Sequence, residues 1–157
     1  MLIGIDSKMS KKYSRDKRFP KPLNESTSKV MSANKAKNTK PELLLRKALW
    51  KKGHKGYRLN WNKVPGRPDI AFPSRKLAIF VNGCYWHRCP KCDLPLPKTN
   101  TKFWKEKFDN NIKRDKKKGD ELLSLDWIVL VFWECDIKSD ISVLVDKVNK
   151  VLSVKEE

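Results

Sequence analysis

Pro68-Asp69-Ile70-Ala71-Phe72-Pro73-Ser74-Arg75-Lys76-Leu77-Ala78-Ile79-Phe80-Val81 is the stretch on which the fold turns. Its two ends are apolar and its middle is a short polar link, which predicts a hairpin of strands over 68–72 and 77–81. The second run has no polar interruption, as expected of a strand covered on both faces. Such a strand needs helices above and below it, and the flanking sequence has to supply them.

Upstream, Thr39 and Glu42 have the Thr-x-x-Glu spacing of a capping box, with Pro41 tolerated in the first turn. A helix is predicted through Leu43, Leu44, Leu45, Ala48, Leu49 and Trp50, ended by Gly53. Tyr57 to Trp61 reads as a short strand before the turn Val64-Pro65-Gly66-Arg67. Downstream, Asn100 to about Leu125 reads as helical, with Phe103, Trp104, Phe108 and Ile112 interleaved with Lys and Asp. Ile128 to Trp133 is another buried strand, and from Asp140 onward Ile141, Leu144, Val145, Val148, Val151 and Leu152 share one helical face. The order helix, three strands, helix, strand, helix gives the α/β class, a central mixed sheet flanked by helices. Trp50, Trp127 and Trp133 are assigned to its core.

The chain has 157 residues, a length that suits one domain with a tail. Its 36 Lys+Arg against 18 Asp+Glu leave a net charge of +18. A chain this basic repels itself when compact, so a polyanion, and nucleic acid first, is the expected partner. Residues 1–37 hold ten basic and three acidic residues, with Pro20 and Pro22 interrupting any periodic pattern. That composition buries too little apolar surface to offset ordering entropy. The expected organisation is a flexible basic N-terminal arm over 1–37 and a folded domain over 38–157. No apolar run approaches the roughly 18–20 residues that span a bilayer. Met1 to Ile5 is too short for a secretion signal, so no membrane partner and a cytoplasmic location are expected.

Cys84-x4-Cys89-x2-Cys92, with Cys135 directly after a predicted strand, supplies four thiolates. Tetrahedral Zn²⁺ takes four soft ligands, and a Cys-x-x-Cys turn presents two of them to one ion. A closed four-thiolate site leaves no position for water, so the expected zinc is structural, and His87 inside the loop is free for other work.

Asp69 follows a tight turn and starts a strand, a place from which a carboxylate can hold Mg²⁺ against a phosphate. The acidic-x-Lys triplet common on the next strand of Mg²⁺-dependent nucleases is absent, since that strand reads Ala78-Ile79-Phe80-Val81-Asn82. His87 can substitute as a general base, and Asp115 on the following helix can orient its imidazole. Tyr85 and Trp86 lie in the metal-tied loop and Trp104 in a basic helix start, where large rings can stack on bases or wedge between base steps.

These residues together resemble the very short patch repair endonucleases. The resemblance is carried by Val64-Pro-Gly-Arg-Pro-Asp69, Phe80-Val-Asn-Gly-Cys-Tyr-Trp-His87, Pro97-Lys-Thr-Asn-Thr-Lys-Phe-Trp104, Asn111-Ile-Lys-Arg-Asp115 and Val131-Phe-Trp-Glu-Cys135. Ser28-Lys-Val-Met31 and Thr39-Lys-Pro-Glu42 fit as well, so the likeness runs from about residue 26 to 138. It implies a restriction-endonuclease-like core with a structural zinc. It also implies a nicking enzyme for T:G mismatches, left when 5-methylcytosine deaminates, that hydrolyses the phosphodiester 5′ to the mismatched thymine with Mg²⁺. By position, Asp69 and the backbone carbonyl of Val81 would bind Mg²⁺, His87 would be the base with Asp115 in support, and Glu42 would be an active-site acid. Tyr85, Trp86 and Trp104 match aromatics inserted beside the mismatch. Asn82 stands where some relatives have histidine, Val81 where some have threonine, and Cys89 where some use histidine. The resemblance also points to double-stranded DNA as substrate and mismatch-repair proteins as further partners; a nucleoid-associated monomer is the expected setting, with oligomeric state left open by the sequence. A related restriction or defence nuclease, and a non-catalytic zinc-stabilised DNA-binding module, are the competing readings.

Overall fold

The computed structural model describes residues 20–22 and 24–154, so most of the expected arm, residues 1–19, lies outside the described residues. The chain divides into two compact units, Met1–Lys35 and Ala36–Glu157. In the first, helix α1 spans Glu25–Ala33. Asn24 caps it, its side chain accepting from the Thr27 N–H at 2.8 Å, and Glu25 places an acid at the positive end of the helix dipole. This helix was not expected within the arm: Pro20 and Pro22 precede its cap and so interrupt nothing.

The second unit holds a four-stranded sheet in the order β1 (Arg58–Leu59), β2 (Ile70–Phe72), β3 (Leu77–Asn82), β4 (Ile128–Trp133). The first two pairings are antiparallel and the last is parallel, with Leu77 opposite Ile128 and Asn82 opposite Trp133. A parallel neighbour requires a crossover, which α3 (Thr101–Leu123) supplies. α2 (Lys40–Lys51), α4 (Glu134–Ser139) and α5 (Ile141–Ser153) complete the unit.

The period-two geometry of the strands divides the core. Ile70, Phe72, Leu77, Ile79 and Phe132 pack with Leu45 and Leu49 of α2, Ile137 of α4 and Leu144, Val145 and Val148 of α5. Ala71 and Ala78 face the other way, against Leu122 of α3 and Trp127, with Trp61, Val64, Phe80 and Val129 around them. The mixed sheet flanked by helices is therefore as the sequence predicts.

Several details differ. β1 is two residues long instead of five, and Asp69 lies immediately before β2. Trp127 is buried as expected, but Trp133 is only half-buried and Trp50 is 56% exposed, with the Lys55 ammonium 4.9 Å from its ring centroid. Leu45 and Leu49 fill the inward stripe of α2, which leaves Trp50 one position round the helix and outside. α4 was not expected, and it places Cys135 in a first helical turn. Among the described residues no helix is long and apolar enough to cross a membrane.

Candidate active site and metal centre

The loop that leaves β3 is folded around its sulfurs. The Cys89 N–H donates to the Cys84 carbonyl at 2.9 Å and the Cys92 N–H to the Cys89 carbonyl at 3.3 Å, two successive turns. Cys135 arrives from the start of α4, and its N–H donates to Cys84 Sγ at 3.4 Å. The Lys91 ammonium pairs with Asp136 at 2.7 Å and ties the turn to that helix. All four Sγ atoms lie within 4.8 Å of one another, and Cys89 and Cys135 are 3.7 Å apart. A disulfide needs about 2.05 Å. A tetrahedron with metal–sulfur bonds of about 2.3 Å has edges of about 3.8 Å. The sulfurs thus have the spacing of a closed four-thiolate metal centre, and the soft donor set suits zinc far better than magnesium.

His87 is carried inside this loop, three residues after Cys84 and two before Cys89. Its Nδ1 is bonded to Asp115 Oδ2 of α3. Burial opposes ionisation of Asp115, but the hydrogen bond and charge of His87, helped by Lys118 and Arg114, outweigh it and hold the carboxyl below its usual range. An ionised carboxylate only accepts, so Nδ1 carries the hydrogen, and in the neutral ring Nε2 presents the lone pair. Asn111, one turn before Asp115, donates Nδ2 to the Trp86 carbonyl at 2.9 Å.

Asp69 is set by the turn before it. Gly66 has φ +78°, and a Cβ there would meet Lys118 Cβ at 3.0 Å and Phe80 Cζ at 3.1 Å, so only glycine lets the loop approach α3 this closely. Asp69 Oδ2 accepts the Val81 N–H at 2.8 Å. Burial pushes its carboxyl up to about 6 against that hydrogen bond; the Glu42 charge adds to the rise, while Arg46 and His87 oppose it. Glu42, Arg46 and His87 are thus all within electrostatic reach of Asp69.

Glu42 is 3% exposed and fully engaged. Its carboxylate accepts from the N–H groups of Asn38 and Thr39 at 2.9 and 3.4 Å, the Thr39 hydroxyl at 2.8 Å and Arg46 Nη2 at 2.9 Å. Those donors occupy the lone pairs a metal would need, which leaves the Asp69 carboxylate as a hard-oxygen donor for a divalent ion. One carboxylate suits an ion that keeps several waters.

Asn82 ends β3 and shares a pocket with Asp115, Lys118 and the apolar Phe80, Val129 and Val131. The aromatics gather between loop and helix: Tyr85 and Trp86 at 5.3 Å, Trp86 and Trp104 at 6.0 Å, Tyr85 and Phe108 at 5.3 Å. Trp104 is buried at 9% exposure, while Tyr85 and Trp86 are half-buried. The structure thus brings together Asp69, His87, Asp115, Glu42 and Asn82, and packs Trp104 beneath Trp86. Sequence reasoning missed Arg46 and Asn111, although each stands four residues from a singled-out acid, on the same helical face.

A family model described as DNA mismatch endonuclease Vsr matches residues 22–93. The type II nicking enzyme V.NaeI of Lentzea aerocolonigenes is 38% identical over 137 residues, which cover 83% of this chain and 81% of the relative. The type II nicking enzyme V.HpaIIP of Haemophilus parainfluenzae is 42% identical over 118 residues, 72% of this chain and 81% of the relative. The DNA mismatch endonuclease Vsr of Escherichia coli (strain K12) is 35% identical over 111 residues, 71% of this chain and 70% of the relative.

Proposed function

The chain belongs to the DNA mismatch endonuclease Vsr family and is a DNA endonuclease, and from that premise we propose that it nicks duplex DNA at T:G mismatches. The cut falls 5′ to the mismatched thymine and initiates very short patch repair. The observation that carries this reading is that His87, held through Nδ1 by Asp115, lies within electrostatic reach of the half-buried carboxyl of Asp69.

In this reading His87 Nε2 takes the proton of the attacking water, and Asp115 holds the ring and steadies the imidazolium. Asp69, with the Val81 carbonyl, would hold Mg²⁺, which would supply positive charge against that developing on the phosphate. Glu42, already committed to four donors, keeps Arg46 and the start of α2 beside Asp69. The four cysteines hold Zn²⁺ and pin the His87 loop to the end of the sheet, which has a restriction-endonuclease-like arrangement. Tyr85 and Trp86 contact the mismatch with Trp104 supporting them, and Asn82 lies at the DNA-facing mouth of its pocket. The +18 charge grips phosphates. We place the protein as a monomer on cytoplasmic, nucleoid DNA, with repair proteins as further partners.

The test is hydrolysis of end-labelled duplexes with Mg²⁺ by wild type and Asp69→Ala. A nick 5′ to the thymine of a T:G pair, absent in the variant, supports the proposal. Binding without nicking leaves a DNA-binding module, and equal cutting of matched duplexes leaves a nuclease of restriction type.

A further inference from the structure

α3 grips the loop at two consecutive residues. Asp115 holds the His87 ring through Nδ1, and Asn111, one turn earlier, donates to the backbone carbonyl of Trp86 at 2.9 Å. Residues four apart on a helix share a face, so neighbouring turns reach neighbouring residues. Asn111 is polar, yet only 8% exposed. Its Oδ1 accepts from Arg114 Nη2 at 2.9 Å, which turns the amide so that its NH₂ faces the carbonyl.

The Trp86 carbonyl and the His87 nitrogen belong to one planar peptide unit. Holding that carbonyl sets the plane from which the His87 Cα departs. The His87 N–H itself donates to Gly83 at 3.2 Å, so both ends of the unit are held. Asp115 alone would leave the imidazole free to pivot about its Nδ1 hydrogen bond. With the peptide also fixed, the direction of Nε2 is determined.

We infer that Asn111 is a positioning residue for His87, acting through the Trp86–His87 peptide and oriented by Arg114. The inference rests on the reading of His87 as the general base. Asn111→Asp is the informative substitution: it keeps the volume and the acceptor for Arg114 but offers no donor to the carbonyl.

Single-turnover nicking of a T:G duplex, its dissociation constant and the ¹H–¹⁵N resonances of the His87 imidazole are measured in the zinc-loaded, full-length protein. The set comprises wild type, Asn111→Asp, His87→Ala and the double variant. A misplacement of about 1 Å costs up to about 100-fold in rate, so Asn111→Asp is expected to slow nicking by about 10- to 100-fold. The dissociation constant stays within about twofold, the His87 resonances shift, and Asn111→Asp costs nothing more in the His87→Ala background. Losses that multiply in the double variant, resonances that do not move, or a loss confined to binding each overturn the proposal. If His87→Ala nicks at the wild-type rate, the base assignment fails, and the imidazole resonances still decide whether Asn111 positions the ring. Should Asn111→Asp not fold, Arg114→Leu at an exposed position frees the amide and shifts the same resonances by less; unmoved resonances there overturn the inference too.

Discussion

The backbone N–H of Val81 donates to Asp69 Oδ2 at 2.8 Å, so the second strand of the hairpin steadies the carboxylate that the first introduces. One hydrogen bond does not offset burial, and the Asp69 carboxyl rises from 3.8 to about 6.

That rise costs stability at neutral pH. Between pH 4 and 6 the folded state keeps a proton on Asp69 that the unfolded chain releases, so stability is full below about pH 4 and falls as pH rises to 6. Asp69→Asn retains an acceptor for Val81 without the charge. Without added Mg²⁺, it should be more stable than wild type at pH 8 by up to about 3 kcal/mol, and the gap should narrow toward pH 5. Thermal unfolding at the two pH values checks this, and an Asn variant less stable at pH 8 would contradict the burial argument.

Asp115→Asn removes the charge that fixes which ring nitrogen of His87 carries hydrogen. Nicking should slow by about 10²- to 10⁴-fold with binding unchanged, the range for a mis-set base. Single-turnover kinetics beside a binding titration separate the two effects. A variant that nicks normally would remove Asp115 from the mechanism.

Metal analysis should find one zinc per chain, lost in Cys135→Ser. Because the loop that carries His87 lies between two of the sulfurs, nicking and melting temperature should fall together. Wild-type protein with less than about one zinc per chain would sink the four-thiolate assignment.

DNA affinity should weaken steeply with salt. Replacing one exposed lysine of α3, such as Lys113 or Lys117, should lower the slope of log affinity against log salt by about 0.9 for each phosphate left unneutralised. Trp86→Ala should leave that slope intact and instead erode preference for the mismatched duplex. Equal weakening on matched and mismatched DNA would take mismatch selection away from Trp86.

Leu49→Ala should cost about 2–5 kcal/mol as a fully buried side chain, whereas Trp50→Ala should cost less than about 1 kcal/mol despite its larger size. Denaturant unfolding of both variants tests the stripe of α2 that faces the sheet.

Periodicity made the main elements readable. Leu77–Val81 and Ile128–Trp133 announced themselves by unbroken apolar runs, and the α5 stripe by its 3.6-residue spacing. The cysteines were legible because metal chemistry fixes ligand type and local spacing. What escaped depends on direction or on short range. A tryptophan's size does not tell which side of a helix it takes, and Trp50 lies outside although Leu49 next to it is wholly buried. α4 is only six residues long and lacks a full apolar period. Asn111 and Arg46 were missed because an amide or guanidinium on a basic helix looks solvated until the partner it reaches is seen.

Asn82 and Trp133 are neighbours across the parallel pair, and the sulfurs of Cys84 and Cys135 meet just beyond them. Everything between, from the aromatic loop through α3 and β4, therefore leaves and returns at one spot, like a cassette closed by a clasp. Within it lie the imidazole, its carboxylate and the rings proposed to sense the base pair; Asp69 stands outside on the hairpin, as do Glu42 on α2 and Asn82 at the end of β3. A length change in the 94–99 linker is thus absorbed inside the clasp, and the covalent path of the hairpin that presents Asp69 is untouched by it.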